Sequence, residues 1–382
     1  MRLPQGFEVS GVTAGIKESG RSDLGLLYSP FPLAWALVST TNLVKAPCVS
    51  RNRARYSAGT SVRAIVVNSG NANCANGEKG TWDNEDLAGA AAAALALDKV
   101  QDVLTASTGV IGQRLPLEPL AAAMPRAAQA LAGDSSAFAE AILTTDTVSK
   151  EVAATLSGGA RVVGVAKGSG MIHPTMATLL CFVMTDARVD QETLRELWPR
   201  VVDASFNQLT VDGDTSTNDM AIVLSSGKVG ADLTELEAAL TDVCVRLAKK
   251  VARDGEGATK LITVRVTGGR SVEEARQAAR TVAGSNLIKS AVHGADPNWG
   301  RILAAIGRSG AVSDLANVRV AMQGTELYRG GPVAFDAALV SQRLRQEDVL
   351  LEADLAAGNS TGEAWGCDLS PEYVRINADY TT

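Results

Sequence analysis

The chain has 382 residues, of which 46% are hydrophobic and 20% are charged, and it carries a formal net charge of −6. This length predicts roughly two to three domains, and the composition excludes a disordered chain and a collagen-like repeat. The acidic balance disfavours nucleic acid as the main partner, and no apolar run is long enough to span a bilayer. We therefore expect a soluble globular protein with no nucleic-acid or membrane partner.

Cysteine and histidine usage bounds the compartment and the chemistry. Five cysteines stand far apart without a CxxC pair, and the N-terminus lacks the apolar core of a signal peptide. Both features favour reduced thiols and a cytoplasmic location. With only two histidines, His173 and His293, a histidine-rich metal site cannot be built, so we expect no metal. We interpret His173 as a neutral loop residue.

Hydrophobic periodicity predicts strands that alternate with helices, the pattern of an α/β or α+β protein. In chain order the predicted elements are a strand at 64–67, a helix at 83–98, a strand at 103–106, a strand at 178–184 and helices at 190–205 and 233–253. Asp190 is the predicted cap of the helix at 190–205, which Pro199 should kink or end. They continue with a strand at 261–267, a helix at 271–283 that opens with a Ser-x-x-Glu capping box, and strands at 318–322, 349–355, 364–369 and 373–377. We divide the chain into a main domain, 1–270, and a smaller strand-rich domain, 271–382.

One segment, residues 167–178 (KGSGMIHPTMAT), does not have the pattern of ordinary structure. A glycine turn and a proline lead directly into an apolar strand that begins with Thr178. One interpretation is a plain loop before a strand. The other makes Thr178 a nucleophile that uses its own α-amine, of pKa about 7.7–8, as the base. That second interpretation requires cleavage of the bond between Ala177 and Thr178.

Seven separated motifs, taken in order, make the chain resemble the glutamate N-acetyltransferases, also called ornithine acetyltransferases, of arginine biosynthesis. The resemblance runs along essentially the whole chain, and the order of the motifs makes it specific. The motifs are residues 68–73 (NSGNAN), 107–112 (STGVIG), 144–147 (TTDT), 167–178, 254–260 (DGEGATK), 293–301 (HGADPNWGR) and 377–382 (NADYTT).

The resemblance implies a layered α/β/β/α sandwich of the N-terminal-nucleophile-like ornithine acetyltransferase type, with a smaller strand-rich C-terminal domain. It also implies self-cleavage between Ala177 and Thr178 into an α chain (1–177) and a β chain (178–382), assembled as α2β2. Thr178 would carry the acetyl group, and Thr108 and Gly109 would form the oxyanion hole. The substrate contacts that the resemblance implies are Thr144, Lys167, Thr178, Glu256, Asn377 and Thr382.

The expected reaction is a ping-pong transfer of acetyl from N2-acetylornithine to glutamate without a cofactor. Lys167 offers a cation for a substrate carboxylate, and Glu256 offers an anion for an ammonium group. Acetyl-CoA stays open as a second acetyl donor, because no adenine or pantetheine signature decides the question. The alternative function is a self-processing N-terminal-threonine aminopeptidase or amidase, which would pass the acyl group to water.

Overall fold

The computed structural model describes residues 1–173, 179–311 and 316–379. The strands are β1 (Glu8–Val12), β2 (Leu24–Ser39), β3 (Val62–Asn71), β4 (Val103–Val110), β5 (Lys150–Thr155), β6 (Arg161–Lys167), β7 (Leu180–Ala187), β8 (Met220–Val229), β9 (Leu261–Gly269), β10 (Arg319–Met322), β11 (Thr325–Arg329), β12 (Asp348–Asp354) and β13 (Ser360–Cys367).

The helices are α1 (Pro47–Ser57), α2 (Gly77–Ala94), α3 (Leu117–Gln129), α4 (Ser136–Ala141), α5 (Gln191–Ala204), α6 (Leu233–Arg253), α7 (Val272–Ala283), α8 (Asn286–His293), α9 (Trp299–Arg308), α10 (Ala337–Leu344) and α11 (Pro371–Asp379). Two short 3-10 turns lie at Val100–Asp102 and Phe206–Gln208. Within the described ranges, no helix is both long enough and apolar enough to cross a membrane.

The larger sheet has eight strands in the order β4-β3-β2-β8-β7-β6-β5, with β1 paired to β2. Strand β2 is 16 residues long and serves both halves of this sheet. Its first half pairs with β3 and its second half with β8, and the register breaks between Tyr28 and Leu33. An irregularity of this kind bends a strand, so β2 joins two layers of sheet.

The two layers enclose a central core and are each covered by helices on the outside. Successive residues of a strand point to opposite faces. Ile65 of β3 and Phe182 of β7 therefore pack in the central core between the layers. Their neighbours face outward, Val66 against the core under α2 and α3 and Val183 against the core under α5 and α6. The order is helix, sheet, sheet, helix, which confirms the predicted α/β/β/α fold class.

The second sheet has five strands in the order β11-β10-β12-β9-β13 and is covered by α7, α8, α9 and α10. Strand β9 pairs with β12 and β13 in this sheet. The change from one sheet to the other therefore comes before residue 261, ahead of the predicted domain boundary at 270. Helix α6 precedes this change and the loop after it leads into the functional site.

The local predictions differ from the structure in several places. Helix α2 begins at Gly77, six residues before the predicted start at 83. The predicted strand at 373–377 is wrong, because this segment belongs to helix α11. Pro371 opens α11 with a backbone angle suited to the first turn of a helix. No side chain of α11 is buried, so its apolar residues had no core face to select a strand. Pro199 lies inside α5, which runs on to Ala204, so the helix does not end at this proline.

Candidate functional site

Residues that are far apart in the sequence meet at one cleft, which includes the ends of β4 and β6. Six of the residues that the family resemblance implicated line it, namely Thr108, Gly109, Thr144, Lys167, Glu256 and Asn377. The other described residues that line it are Ala72, Ile111, Thr145, Gly170, Met171, Ser216, Thr217 and Asn218. The structure thus brings the predicted contacts together, and the individual roles assigned to them stay predictions.

Thr108 and Gly109 lie at the end of β4, where it runs parallel to β3. Gly109 is paired with Gly70 and has a φ of +132°. A Cβ atom at Gly109 would stand 2.3 Å from the carbonyl carbon of Gly70, so only glycine fits this close approach. The Thr108 side chain is buried at the cleft wall. The strand end therefore offers one hydroxyl and one glycine N–H side by side.

Lys167 is the last residue of β6, and its side chain is buried in the cleft. Its Nζ donates to Thr144 Oγ1 at 2.7 Å and to Thr108 Oγ1 at 3.3 Å. Burial lowers the pKa of Lys167, while the nearby carboxylate of Asp146, 3.7 Å away, opposes that shift. The ion pair with Asp146 thus holds Lys167 Nζ directly beside the Thr108 hydroxyl.

Lys167 belongs to a network of buried ion pairs with Asp146, Lys150 and Asp254. Asp146 accepts from Gly168 N at 2.6 Å and from Lys150 Nζ at 2.7 Å, and Lys150 Nζ also lies 2.5 Å from Asp254 Oδ2. Burial disfavours the charge on Asp146, but the ammonium groups of Lys167 and Lys150 outweigh it and hold the pKa of Asp146 well below its usual range. Sequence reasoning missed this network, although Asp146 and Asp254 lie inside two of the seven motifs.

Glu256 and Asn377 form the opposite side of the cleft. Asn377 Nδ2 donates to Glu256 Oε2 at 2.8 Å, so helix α11 is joined to the loop that follows α6. The Glu256 carboxylate lies against the backbone of Gly170, where an added Cβ would stand 2.4 Å from it. Glu256 also acts on the pKa of Lys167, which it raises. The cleft therefore presents a cation and an anion to the same space.

The predicted cleavage residues Ala177 and Thr178, and the predicted contact Thr382, lie outside the described residues. The chain on both sides of 174–178 is held by the stretch 211–220. Ile172 N donates to Asp212 Oδ1 at 2.8 Å, and Val211 N donates to Ile172 O at 2.8 Å. On the far side, Leu179 N donates to Asp219 Oδ1 at 3.0 Å. One stretch of chain thus holds both flanks.

His173 and the cysteines offer little catalytic reactivity. The Nδ1 atom of His173 lies 3.2 Å from Thr210 Oγ1, and burial lowers the pKa of His173, in keeping with a neutral imidazole. All five cysteines are buried and free, and burial raises the pKa of Cys48 to about 12. A thiol in that state is a poor nucleophile. In the part of the chain that the structure describes, no group of three or more His, Cys, Asp or Glu side chains could hold a metal ion.

The chain that forms this cleft is similar to known proteins of one family. The model of the ArgJ family matches residues 8–382. The arginine biosynthesis bifunctional protein ArgJ of Deinococcus radiodurans is 53% identical over 381 residues, covering 100% of this chain and 98% of that protein. The protein of the same name from Thermus thermophilus is 54% identical over 383 residues, covering 100% of both.

A solved structure agrees with these relatives. The crystal structure of the arginine biosynthesis bifunctional protein ArgJ from Bacillus halodurans matches with a TM-score of 0.51 and 42% identity. The match covers 52% of this chain and 98% of that one. The chain belongs to the ArgJ family, which confirms the family that its seven motifs indicated.

Proposed function

We propose that this protein transfers the acetyl group of N2-acetylornithine to glutamate, giving ornithine and N-acetylglutamate in arginine biosynthesis. The observation that carries the proposal is the meeting of Thr108 and Gly109, the two predicted oxyanion donors, with the buried Lys167 and with Glu256 in one cleft. Those groups suit an acyl transfer between zwitterionic amino acids. The names of the relatives, which place them in arginine biosynthesis, support the same reaction.

The enzyme first activates itself by cutting its own chain. The hydroxyl of Thr178 attacks the carbonyl carbon of Ala177, the peptide nitrogen leaves as the α-amine of Thr178, and water hydrolyses the resulting ester. The products are an α chain of residues 1–177 and a β chain of residues 178–382. In support, the solved Bacillus halodurans chain is nearly fully covered yet spans only 52% of this one.

The two pieces stay together because the larger sheet crosses the cut. Strand β6 of the α chain pairs with β7 of the β chain, and β2 pairs with β8. Breaking one peptide bond leaves those backbone hydrogen bonds in place. We propose further that two α and two β chains assemble as α2β2 in the cytoplasm, a state that the native mass of the purified protein tests.

In the first half-reaction, the α-amine of Thr178 takes the hydroxyl proton while the oxygen attacks the acetyl carbonyl of N2-acetylornithine. The negative oxygen of the tetrahedral intermediate accepts hydrogen bonds from Thr108 Oγ1 and Gly109 N–H. Collapse breaks the C–N bond, and the departing ornithine amine takes the proton from the ammonium of Thr178. The acetyl group is then an ester on the threonine oxygen.

In the second half-reaction, the amine of glutamate attacks this ester. The Thr178 oxygen leaves with a proton returned through the α-amine, and N-acetylglutamate is released. Lys167 binds the α-carboxylate that both amino acids carry, and Glu256 with Asn377 binds the side-chain ammonium of ornithine. No cofactor takes part. Because one site is occupied by the two substrates in turn, the kinetics should be ping-pong.

The test combines a denaturing gel with an assay of the purified protein. We expect two bands, the smaller piece ending at residue 177 and the larger beginning at Thr178, and a single full-length band for Thr178→Ala. Ornithine release from N2-acetylornithine should depend on added glutamate. Equal release without glutamate would instead identify the hydrolytic aminopeptidase or amidase. Replacing N2-acetylornithine with acetyl-CoA decides whether acetyl-CoA is a second donor.

A further inference from the structure

Two consecutive residues, Asn218 and Asp219, connect the strand end that carries Thr108 and Gly109 with Leu179 at the start of β7. Both are buried, and they immediately precede β8. Because β8 runs parallel to β7, with Met220 opposite Leu180, Asp219 lies level with Leu179. Leu179 is the residue that follows the proposed nucleophile in the sequence.

Asn218 holds the strand end that carries the oxyanion donors. Its Nδ2 donates to Ser107 O at 2.8 Å and to Ala72 O at 2.7 Å, so both amide hydrogens are used. Its Oδ1 accepts from Thr217 Oγ1 at 2.6 Å, which fixes the orientation of the amide. The Ser107 carbonyl belongs to the peptide bond that leads into Thr108. Any shift of Asn218 would therefore move the donor pair.

Asp219 holds Leu179, the residue immediately before β7. Its Oδ1 accepts from Leu179 N at 3.0 Å, and Met220 N donates to Leu179 O at 3.0 Å. Among the described residues, the second oxygen, Oδ2, is buried without a hydrogen-bond partner. Leaving a buried polar atom unpaired costs stability. Ser216 also hydrogen-bonds to this carboxyl group, and Leu179 N is its contact on the side of β7.

We propose that Asn218 and Asp219 are positioning residues that together set the separation between the oxyanion hole and the start of β7. The inference rests on the proposed function, in which Thr178 is the nucleophile. The two holding groups sit on adjacent residues, whose Cα atoms are about 3.8 Å apart, so one rigid peptide unit links the two half-sites. Misplacing reacting groups by about 1 Å can cost on the order of 10² in rate.

The first test replaces Asn218 with Ala and compares it with Asn52→Ala. Asn52 is a matched control, since it is also a buried asparagine and its Nδ2 donates to Thr105 O at 2.8 Å on the same strand β4. We expect Asn218→Ala to lower kcat on the order of 10²-fold with KM for N2-acetylornithine nearly unchanged. Asn52→Ala should lower thermal stability and leave kcat close to wild type. Equal kcat for Asn218→Ala and wild type would overturn the proposal.

Asp219 is tested by two variants, of which only one keeps an acceptor for Leu179 N. Asp219→Asn keeps a side-chain oxygen for Leu179 N, and Asp219→Ala removes it. We expect Asp219→Asn to retain most of the wild-type kcat and Asp219→Ala to lose most of it. If both variants lose activity equally, the carboxyl group itself is required and the positioning role is wrong. These variants also keep the proposal testable if Asn218→Ala does not fold.

A double-mutant cycle with Thr108→Val tests whether Asn218 acts on the rate through the position of Thr108. If Asn218 acts by placing Thr108, the loss caused by Asn218→Ala should shrink when the Thr108 hydroxyl is already absent. Fully multiplicative losses would contradict the proposal. Ornithine release is scored with and without glutamate. If wild type releases ornithine equally without glutamate, the proposed transfer to glutamate is refuted. The positioning role is then still tested by comparing the rates of ornithine release of the variants with that of wild type.

Discussion

The ammonium of Lys167 lies 3.3 Å from Thr108 Oγ1, so the proposed carboxylate-binding cation touches the proposed oxyanion donor. An ammonium can only donate, so Thr108 Oγ1 must be the acceptor in this contact. The hydroxyl hydrogen of Thr108 is then available to another acceptor, as an oxyanion donor requires. The same contact places positive charge beside the oxygen that becomes negative in the transition state, where charge-assisted hydrogen bonds are stronger.

Thr108→Val should slow acetyl transfer with little change in KM. The substitution keeps the shape and removes one donor, and losing one such donor typically lowers kcat by about 10²–10³, or roughly 3–4 kcal/mol. Steady-state kinetics with N2-acetylornithine and glutamate measure the effect. Thr105→Val on the same strand is the control, because the buried Thr105 Oγ1 has no hydrogen-bond partner among the described residues. Wild-type kcat in Thr108→Val would remove Thr108 from the mechanism.

Glu256→Gln should weaken the binding of ornithine derivatives selectively. The change keeps the size of the side chain and removes the negative charge that we assign to the ornithine ammonium. A hydrogen bond to a charged group contributes about 1.5–3 kcal/mol, so KM for N2-acetylornithine should rise roughly 10- to 100-fold. KM for glutamate, which has no side-chain ammonium, should not rise. Glu363→Gln, which alters an exposed pair with Arg265, serves as the control.

Asp146→Asn should destabilise the protein and change its response to acid. The substitution removes the carboxylate between Lys150 and Lys167, and breaking a buried pair in this way costs about 3–5 kcal/mol. Asp242→Asn, which breaks an exposed pair with Arg246, should cost only about 0–1 kcal/mol. Denaturant unfolding near pH 7 measures both values. Similar losses for the two variants would contradict a buried charge network.

The pH dependence of the Asp146 contribution has a defined sign. The two ammonium groups lower the pKa of Asp146 in the folded protein, so the carboxylate stabilises the fold at pH values above the unfolded pKa of about 3.9. That contribution is lost as the pH falls below this value. Below about pH 4, wild type should therefore lose more stability than Asp146→Asn as the pH falls. Parallel acid titrations of the two proteins would exclude this linkage.

Lys17 should make stability depend on pH in the alkaline range. Burial lowers the pKa of Lys17 to about 8, and its Nζ donates to Ser22 O at 2.7 Å. An unfolded lysine has a pKa of about 10.4, so between about pH 8 and 10.4 the unfolded chain binds more protons than the folded one. Wild type should gain stability across this window relative to Lys17→Met. The exposed Lys79→Met should run parallel to wild type in the same unfolding series.

Deleting residues 377–382 should leave the fold intact and impair acetyl transfer. Helix α11 buries no side chain, so shortening it removes little packing. The deletion removes Asn377, which binds Glu256 at 2.8 Å, and the predicted contact Thr382. Circular dichroism and the cleavage gel should match wild type, while transfer falls and hydrolysis takes a larger share because water reaches the acyl-enzyme. A full rate of transfer to glutamate would show that this terminus does not bind substrate.

The sequence by itself determined the elements that depend on local chemistry. Helix α7 begins where a Ser-x-x-Glu pattern predicted it, and Ser271 Oγ accepts from Glu274 N at 3.1 Å. Helix α5 begins after its predicted cap, whose Asp190 side chain accepts from Thr193 N at 2.8 Å. Caps and hydrophobic periods act over a few residues. The ordered motifs likewise sufficed to indicate the family.

Only the tertiary structure decided which polar groups share the cleft. The Lys150–Asp254 pair joins residues 104 positions apart, and Asn218 reaches Ser107 across 111 positions. Neither contact can be predicted from a local sequence pattern, because the sequence gives the type of a charged or amide residue but not whether its side chain is buried. The segment 373–377 shows the same limit, since its apolar residues have strand propensity but no core to face. Burial and long-range hydrogen bonds are properties of the folded arrangement, and they decide which of these residues can act together.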